Sequence, residues 1–171
     1  GMAVIREHLA AKGLGLHNDL QNETSIVGNF PVVFMMYDFG TDAQKAEFIE
    51  DMITGDKRVA FGLTEPDHGS DATWLETSVR RDGGDWVING RKRWNTGVHA
   101  ATHDIIFARY SGQPGDARGI TAFIVPTDTP GFRPVFFHWT FNMPTDHAEV
   151  ELNDVRVPDS AILGDEGAGL A

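Results

Sequence analysis

Residues 76–94 read ETSVRRDGGDWVINGRKRW. Gly83-Gly84 and Asn89-Gly90 divide the stretch into three short runs, and Asn-Gly between two such runs favours a two-residue hairpin turn. The stretch therefore predicts a three-stranded meander, with one turn at Gly83-Gly84 and a second at Asn89-Gly90. A chain that opens its β-region this way is expected to continue with antiparallel neighbours.

The alternating pattern extends in both directions. VAFGL (59–63), HDIIFARY (103–110), GITAFIVP (119–126) and HAEVELNDVRVP (147–158) are separated by Gly, Pro, Asn and Asp, so the chain from about Arg58 reads as mostly antiparallel β-structure. Upstream the period is helical. Thr41 and Gln44 have the spacing of a capping box, Ala46, Ile49, Met52 and Ile53 form an apolar stripe, and Gly55 supplies the stop. Val4, Ile5, His8 and Leu9 predict one face of an earlier helix, and Pro31 suits the first turn of another ahead of VVFMMY. The tail GDEGAGLA (164–171) reads as the entry to a further helix. The expected class is α+β, and the apolar face of the helix at 41–54 is expected to find little to pack against within this chain.

The 171 residues carry a formal charge of -11 and no cysteine. An acidic chain does not suit nucleic acid, which needs a basic surface to displace counterions, nor an anionic membrane. No apolar run approaches a membrane span and no signal peptide opens the chain, so a cytoplasmic protein in a reducing compartment is expected. Apolar residues at 41% and charged residues at 23% are ordinary for a packed core.

The densest chemistry lies in FGLTEPDHGSD (61–71). Two acids and a histidine within one turn suggest a metal site or an acid-base dyad. Thr, Gly and Ser following a strand suggest a backbone cradle for a phosphate-bearing cofactor. The spacing of Glu65, Asp67, His68 and Asp71 matches neither a zinc helix nor a calcium loop, and no metal is expected. Elsewhere Arg80, Arg81, Arg91, Lys92 and Arg93 read as the wet face of the meander, and His99 and His103 as solvated or core histidines.

FGLTEPDHGSD, NGRKRWNTG (89–97), ITAFIVPTDTPGF (120–132) and AEVELNDVRVPDSAILGDEGAGL (148–170), preceded by GTDAQK (40–45), resemble the acyl-CoA dehydrogenases in order and spacing. The resemblance implies a middle β-barrel or sandwich domain at 58–163, the end of a helical domain at 1–57 and the start of another at 164–171. It implies FAD as cofactor, an acyl-CoA thioester as substrate, an electron-transfer flavoprotein or similar acceptor, and a homo-oligomer when full length. Phe61, Leu63 and Thr64 would lie along the flavin ring. Gly69 and Ser70 would approach the pyrophosphate, with Ser70 also touching acyl-CoA, and Glu65 and Asp71 would hold the turn. Trp94 would stack on the isoalloxazine and Thr96 would donate toward its reacting edge, with Asn95 between them.

The chain departs from the family pattern in several places. Asn95 stands where many relatives have an apolar residue, Gly97-Val98 stands where Asn-Gly commonly follows the threonine, and HWTFNMPTDHAEV (138–150) replaces an Arg-Gly-Ser-rich turn. His68 has no assigned role. In most members the catalytic carboxylate lies in a later helical domain, so no catalytic residue is expected here and the isolated chain is expected to be inactive. The alternative is a non-enzymatic β-module for binding or assembly.

Overall fold

Thr41 begins the best-defined helix as its spacing predicts. Its hydroxyl accepts from the Gln44 backbone N–H at 3.2 Å while the Gln44 side chain accepts from the Thr41 N–H at 2.9 Å. In the computed structural model, which describes residues 2–13, 30–140 and 143–170, the helices are α1 (Met2–Ala11), α2 (Phe30–Phe39) and α3 (Asp42–Thr54). Gly55, at φ 87°, closes α3 in the left-handed conformation, and its N–H donates to the Asp51 carbonyl.

The strands are β1 (Val59–Gly62), β2 (Ser78–Asp82), β3 (Asp85–Thr96), β4 (His103–Arg109), β5 (Ile120–Pro126), β6 (Phe132–Thr140), β7 (Met143–Pro158) and β8 (Ile162–Leu163). They form one sheet in the order β6-β7-β3-β2-β4-β5-β8, with β1 parallel to β4. Most pairs are antiparallel, and the path is open, with β6 and β8 at its ends. The α+β class expected from the sequence is the one observed.

The β2–β3 hairpin turns at Gly83-Gly84, with Asp82 opposite Asp85. Asn89-Gly90 does not turn. β3 runs on through it, with an irregularity between Ile88 and Gly90 where it pairs with β7. The long partner strand holds both halves of β3 in one line, and Asn89 exchanges hydrogen bonds with Asp154, its amide nitrogen donating to a carboxylate oxygen and its oxygen accepting from the Asp154 N–H. Gly90 serves a close approach instead: a Cβ there would lie 2.4 Å from Thr77 Oγ1 and 2.7 Å from Thr77 Cα.

Two further expectations are corrected by packing. The inward stripe of α3 is Gln44, Phe48 and Met52, with Ile53 70% exposed and Ala46 also outside. Phe48 and Met52 join Val59, Ile105, Phe107, Ile124 and Met36 in a core between the helices and the sheet, so the face of α3 is well occupied. Gln44 is buried because its amide donates to the carbonyls of Ser160 at 2.9 Å and Ile162 at 2.8 Å, tying α3 to the β8 edge. Residues 164–170 form turns and a bridge from Ala168 to Ile120 rather than a helix. Gly164 and Gly167 take positive φ, and the Gly169 N–H donates to the Ile120 carbonyl at 2.7 Å, so the segment extends the sheet edge.

The other side of the sheet carries a second core built on Trp86, Ile88, Phe123, Val125, Val150 and Val155. Among the described residues no helix is long and apolar enough to cross a membrane.

Candidate functional site

The two segments singled out in the sequence meet at the ends of β1 and β3. The Arg93 N–H donates to the Thr64 carbonyl at 2.9 Å, and Lys92 Nζ donates to the Leu63 carbonyl at 3.1 Å. Phe61 is 39% exposed beside the buried Phe107 ring, and Leu63 and Thr64 are half-buried.

Glu65 ends the first segment by turning inward. Its carboxylate accepts from the backbone N–H groups of Glu76 at 2.6 Å and Thr77 at 2.8 Å, and pairs with Lys92 Nζ at 2.9 Å. Burial alone would raise the Glu65 carboxyl, but the Lys92 charge and the donated N–H groups hold it below the usual carboxylate range. Lys92 is completely buried, not on the wet face of the meander as expected. Burial draws its ammonium below the usual lysine range against the opposing pull of Glu65 and Asp104. The other members of that basic cluster are at least partly exposed and paired, Arg91 and Arg93 with Glu149, Arg80 with Asp82, and Arg81 with Asp159.

Backbone hydrogen bonds between Glu65 and His68 close the turn in both directions, at 3.1 and 3.3 Å. Asp71 accepts from the Thr73 N–H at 3.1 Å and so starts the short 3-10 turn Ala72–Trp74. His68, unassigned from sequence, has Nε2 3.3 Å from a Glu76 carboxylate oxygen. Gly69 and Ser70 are left exposed at the tip. A Cβ on Gly69 would meet nothing within 4 Å among the described residues and its φ is ordinary, so their packing does not require glycine there.

The second segment is shaped by a bulge. Arg93 pairs with Glu149 and Asn95 with the adjacent Ala148, which makes Trp94 the extra residue, at φ 71°. In a regular strand Lys92 and Asn95 would face opposite sides. The extra residue turns both inward and leaves the Trp94 indole 46% exposed. The His138 ring lies against that indole at 4.3 Å between centroids, with Phe136 edge-on to His138 at 4.9 Å. Burial and the Arg93 charge hold the His138 imidazole below the usual histidine range. Thr96 Oγ1 lies 2.9 Å from His147 Nδ1 and 3.3 Å from the Trp94 carbonyl.

Asn95 does not face outward with its neighbours. Its side chain is fully buried and donates to Asp104 Oδ2 at 2.5 Å. His99 contacts Phe137 edge-on and His103 contacts Phe48, so those histidines sit against aromatic rings. His138, His147 and Asp104 lay outside the sequence-based site: the first two come from the 138–150 stretch that departs from the family pattern, and Asp104 sits within an otherwise apolar strand.

Residues 60–155 match the profile described as the acyl-CoA dehydrogenase middle domain. The chain belongs to the acyl-CoA dehydrogenase family. It is 36% identical over 133 residues to the Mycobacterium tuberculosis acyl-CoA dehydrogenase FadE12, covering 78% of this chain and 34% of that protein. It is 37% identical over 165 residues to the short-chain specific acyl-CoA dehydrogenase of Megasphaera elsdenii, covering 95% of this chain and 42% of that protein. Among solved structures, a Mycobacterium smegmatis glutaryl-CoA dehydrogenase in complex with FADH2 aligns with TM-score 0.70 and 38% identity, over 80% of this chain and 34% of that one. The ChsE4-ChsE5 complex of Mycobacterium tuberculosis aligns with TM-score 0.78 and 31% identity, over 97% of this chain and 40% of that one. The chain thus spans about a third to two-fifths of the length of these relatives.

The residues present fit a flavin dinucleotide. An exposed indole, hydroxyls at Thr64, Ser70 and Thr96, and an uncrowded glycine at the turn tip offer stacking and uncharged donors without a desolvated cation. Two clefts of about 490 and 410 Å³ are lined by none of these residues.

Proposed function

We propose that this chain provides the FAD-facing and acyl-CoA-facing wall of an acyl-CoA dehydrogenase. The observation that carries the reading is the Arg93-to-Thr64 hydrogen bond, which sets the 61–64 and 94–96 segments side by side with Trp94 held outward by its bulge. FAD bound there would accept hydride from an acyl thioester, the chemistry of this family. The chain's own part is to bind and orient. Trp94 offers a flat apolar face, and Phe61 and Leu63 line the approach and exclude water. The Thr64 and Thr96 groups donate hydrogen bonds where negative charge develops on a reducing ring. Gly69 and Ser70 lie at the turn that meets phosphate, Ser70 also meeting acyl-CoA.

Two carboxylates beside the wall are engaged in ion pairs, Glu65 with Lys92 and Glu149 with Arg91 and Arg93. This supports a chain that binds FAD without turning over acyl-CoA by itself. A homo-oligomer and an electron-transfer flavoprotein acceptor belong to the same reading. Titrating the chain with FAD tests it: saturable quenching of flavin emission that disappears in Trp94→Ala is expected, and no quenching would overturn it. Turnover of acyl-CoA with an artificial acceptor would overturn the inactivity.

A second reading, a module serving assembly without catalysis, is favoured by β6. Phe136 is 54% and Trp139 67% exposed there, with Val135 and Phe137 also outside, an apolar surface of the kind that marks a contact. FAD binding with no partner-dependent activity would favour this second reading.

A further inference from the structure

Beneath the wall, three strands converge on one buried polar pair. Asn95 of β3 and Asp104 of β4 are both fully buried, and the Asn95 amide donates to Asp104 Oδ2 at 2.5 Å. β1 runs beside β4 as its parallel neighbour, with Ala60 opposite Asp104 and Gly62 opposite Ile106. A Cβ on Gly62 would lie 2.7 Å from Asn95 Nδ2, 2.6 Å from Ile106 Cδ1 and 3.3 Å from Asp104 Oδ1. Gly62 is flanked by Phe61 and Leu63, and Asn95 by Trp94 and Thr96, so four side chains of the wall are next to a residue at this spot, and Thr64 is one residue further along.

Apolar packing alone does not account for an amide and a carboxyl at this position. Buried polar groups lacking complete partners are costly, yet Asn95 Oδ1 and Asp104 Oδ1 have none among the described residues. The pair holds three oxygens and a single NH2 group. A proton on Asp104 converts one surplus acceptor into a donor, and burial pushes that carboxyl up to about 7 despite the Asn95 hydrogen bond and the Lys92 charge.

The strained neighbour explains what the pair does. Trp94 at φ 71° occupies a conformation that a bulky L-residue adopts only when its surroundings impose it. On one side Lys92 is fixed inward by Glu65 and the Leu63 carbonyl, and on the other Asn95 is fixed inward by Asp104. With residues 92 and 95 both anchored inside, the residue between Arg93 and Asn95 has nowhere to go but out. Resting on the cofactor reading above, we infer that Asn95 and Asp104 are a positioning pair that locks the bulge at Trp94 and sets the spacing between the 61–64 and 94–96 halves of the flavin wall.

Fluorotryptophan labelling of the full 171-residue chain, with the Trp94 resonance assigned by Trp94→Phe, reads the bulge directly. Asp104→Leu, which keeps the branched shape with somewhat larger methyl groups and deletes the hydrogen bond, is expected to shift or broaden the Trp94 resonance, leave that of Trp86 in place and weaken FAD binding at least tenfold. Asp104→Asn, which still pairs with Asn95, is expected to retain the Trp94 resonance and bind FAD within about twofold of the parent. An unchanged Trp94 resonance in Asp104→Leu, or an Asn variant as damaging as Leu, overturns the inference. Should Asp104→Leu not fold, Asn95→Ala removes the same bond from β3 and is held to the same two outcomes. If the parent chain fails to quench flavin, the cofactor reading falls, while the Trp94 resonance still decides the positioning role.

Discussion

Lys92 Nζ and the Glu65 carboxylate stand 2.9 Å apart with both side chains buried, joining the segment 61–65 to the segment 92–96. Breaking one side of such a pair leaves an uncompensated charge in the interior, which costs about 3–5 kcal/mol. Lys92→Met is therefore expected to lower the urea midpoint severely. Glu65→Gln is expected to lower it as well, since it strands the buried Lys92 ammonium and its one amide oxygen replaces only one of the two carboxylate oxygens that accept from the Glu76 and Thr77 N–H groups. Equal, small losses in both variants would show that the pair is dispensable.

Gly62→Ala tests the close approach of β1 to the buried pair. The added methyl meets Ile106 and Asn95 at 2.6 and 2.7 Å, and overpacking of this kind costs about 1–3 kcal/mol. A lowered melting temperature is expected, whereas Gly69→Ala, with open space around it, should leave the melting temperature unchanged and act only on FAD affinity.

Asp104 makes a specific contribution to pH dependence. Its folded carboxyl is raised from 3.8 to about 7, so between these values the folded state holds a proton that the unfolded chain has released. Stability from this group is full below about pH 4 and falls as pH rises toward 7, with a slope approaching ~1.4 kcal/mol per pH unit. The difference in urea-derived stability between the parent and Asp104→Asn isolates it, because the other carboxylates largely cancel. A difference that is flat from pH 4 to 7 would refute the assignment.

Trp94 stores backbone strain that glycine would not. Comparing Trp94→Gly with Trp94→Ala removes the indole in both and leaves φ as the variable, so the glycine variant is expected to be more stable by about 1 kcal/mol, with flavin quenching lost in both. Equal thermal midpoints would mean that the bulge relaxes once the indole is gone.

Much of this protein was legible from local pattern. The Thr41–Gln44 capping box, the Gly83-Gly84 turn and the alternating strands depend on neighbours a few residues apart, and the structure reproduces each. The turn-holding roles of Glu65 and Asp71 were readable from the family blocks.

Asn89-Gly90 marks where local reading stops. Its turn preference is about 1 kcal/mol in scale and is overruled by a continuous ladder to β7, which no window of a few residues contains. Lys92 and Asn95 mark it again. In sequence they belong to a basic, polar stretch. Only the extra residue at Trp94, registered against β7, turns both into the interior to meet Glu65 and Asp104 from other strands.

The sequence by itself determined the helix begun at Thr41, most of the strand runs, the net acidic charge and the family to which the motif blocks point, because propensity, capping and charge are properties of near neighbours. Tertiary structure decided which polar residues of NGRKRWNTG face the wall and which lie beneath it. That choice rests on strand register and on partners at positions 65, 104 and 148, and a one-residue shift in register exchanges inside for outside.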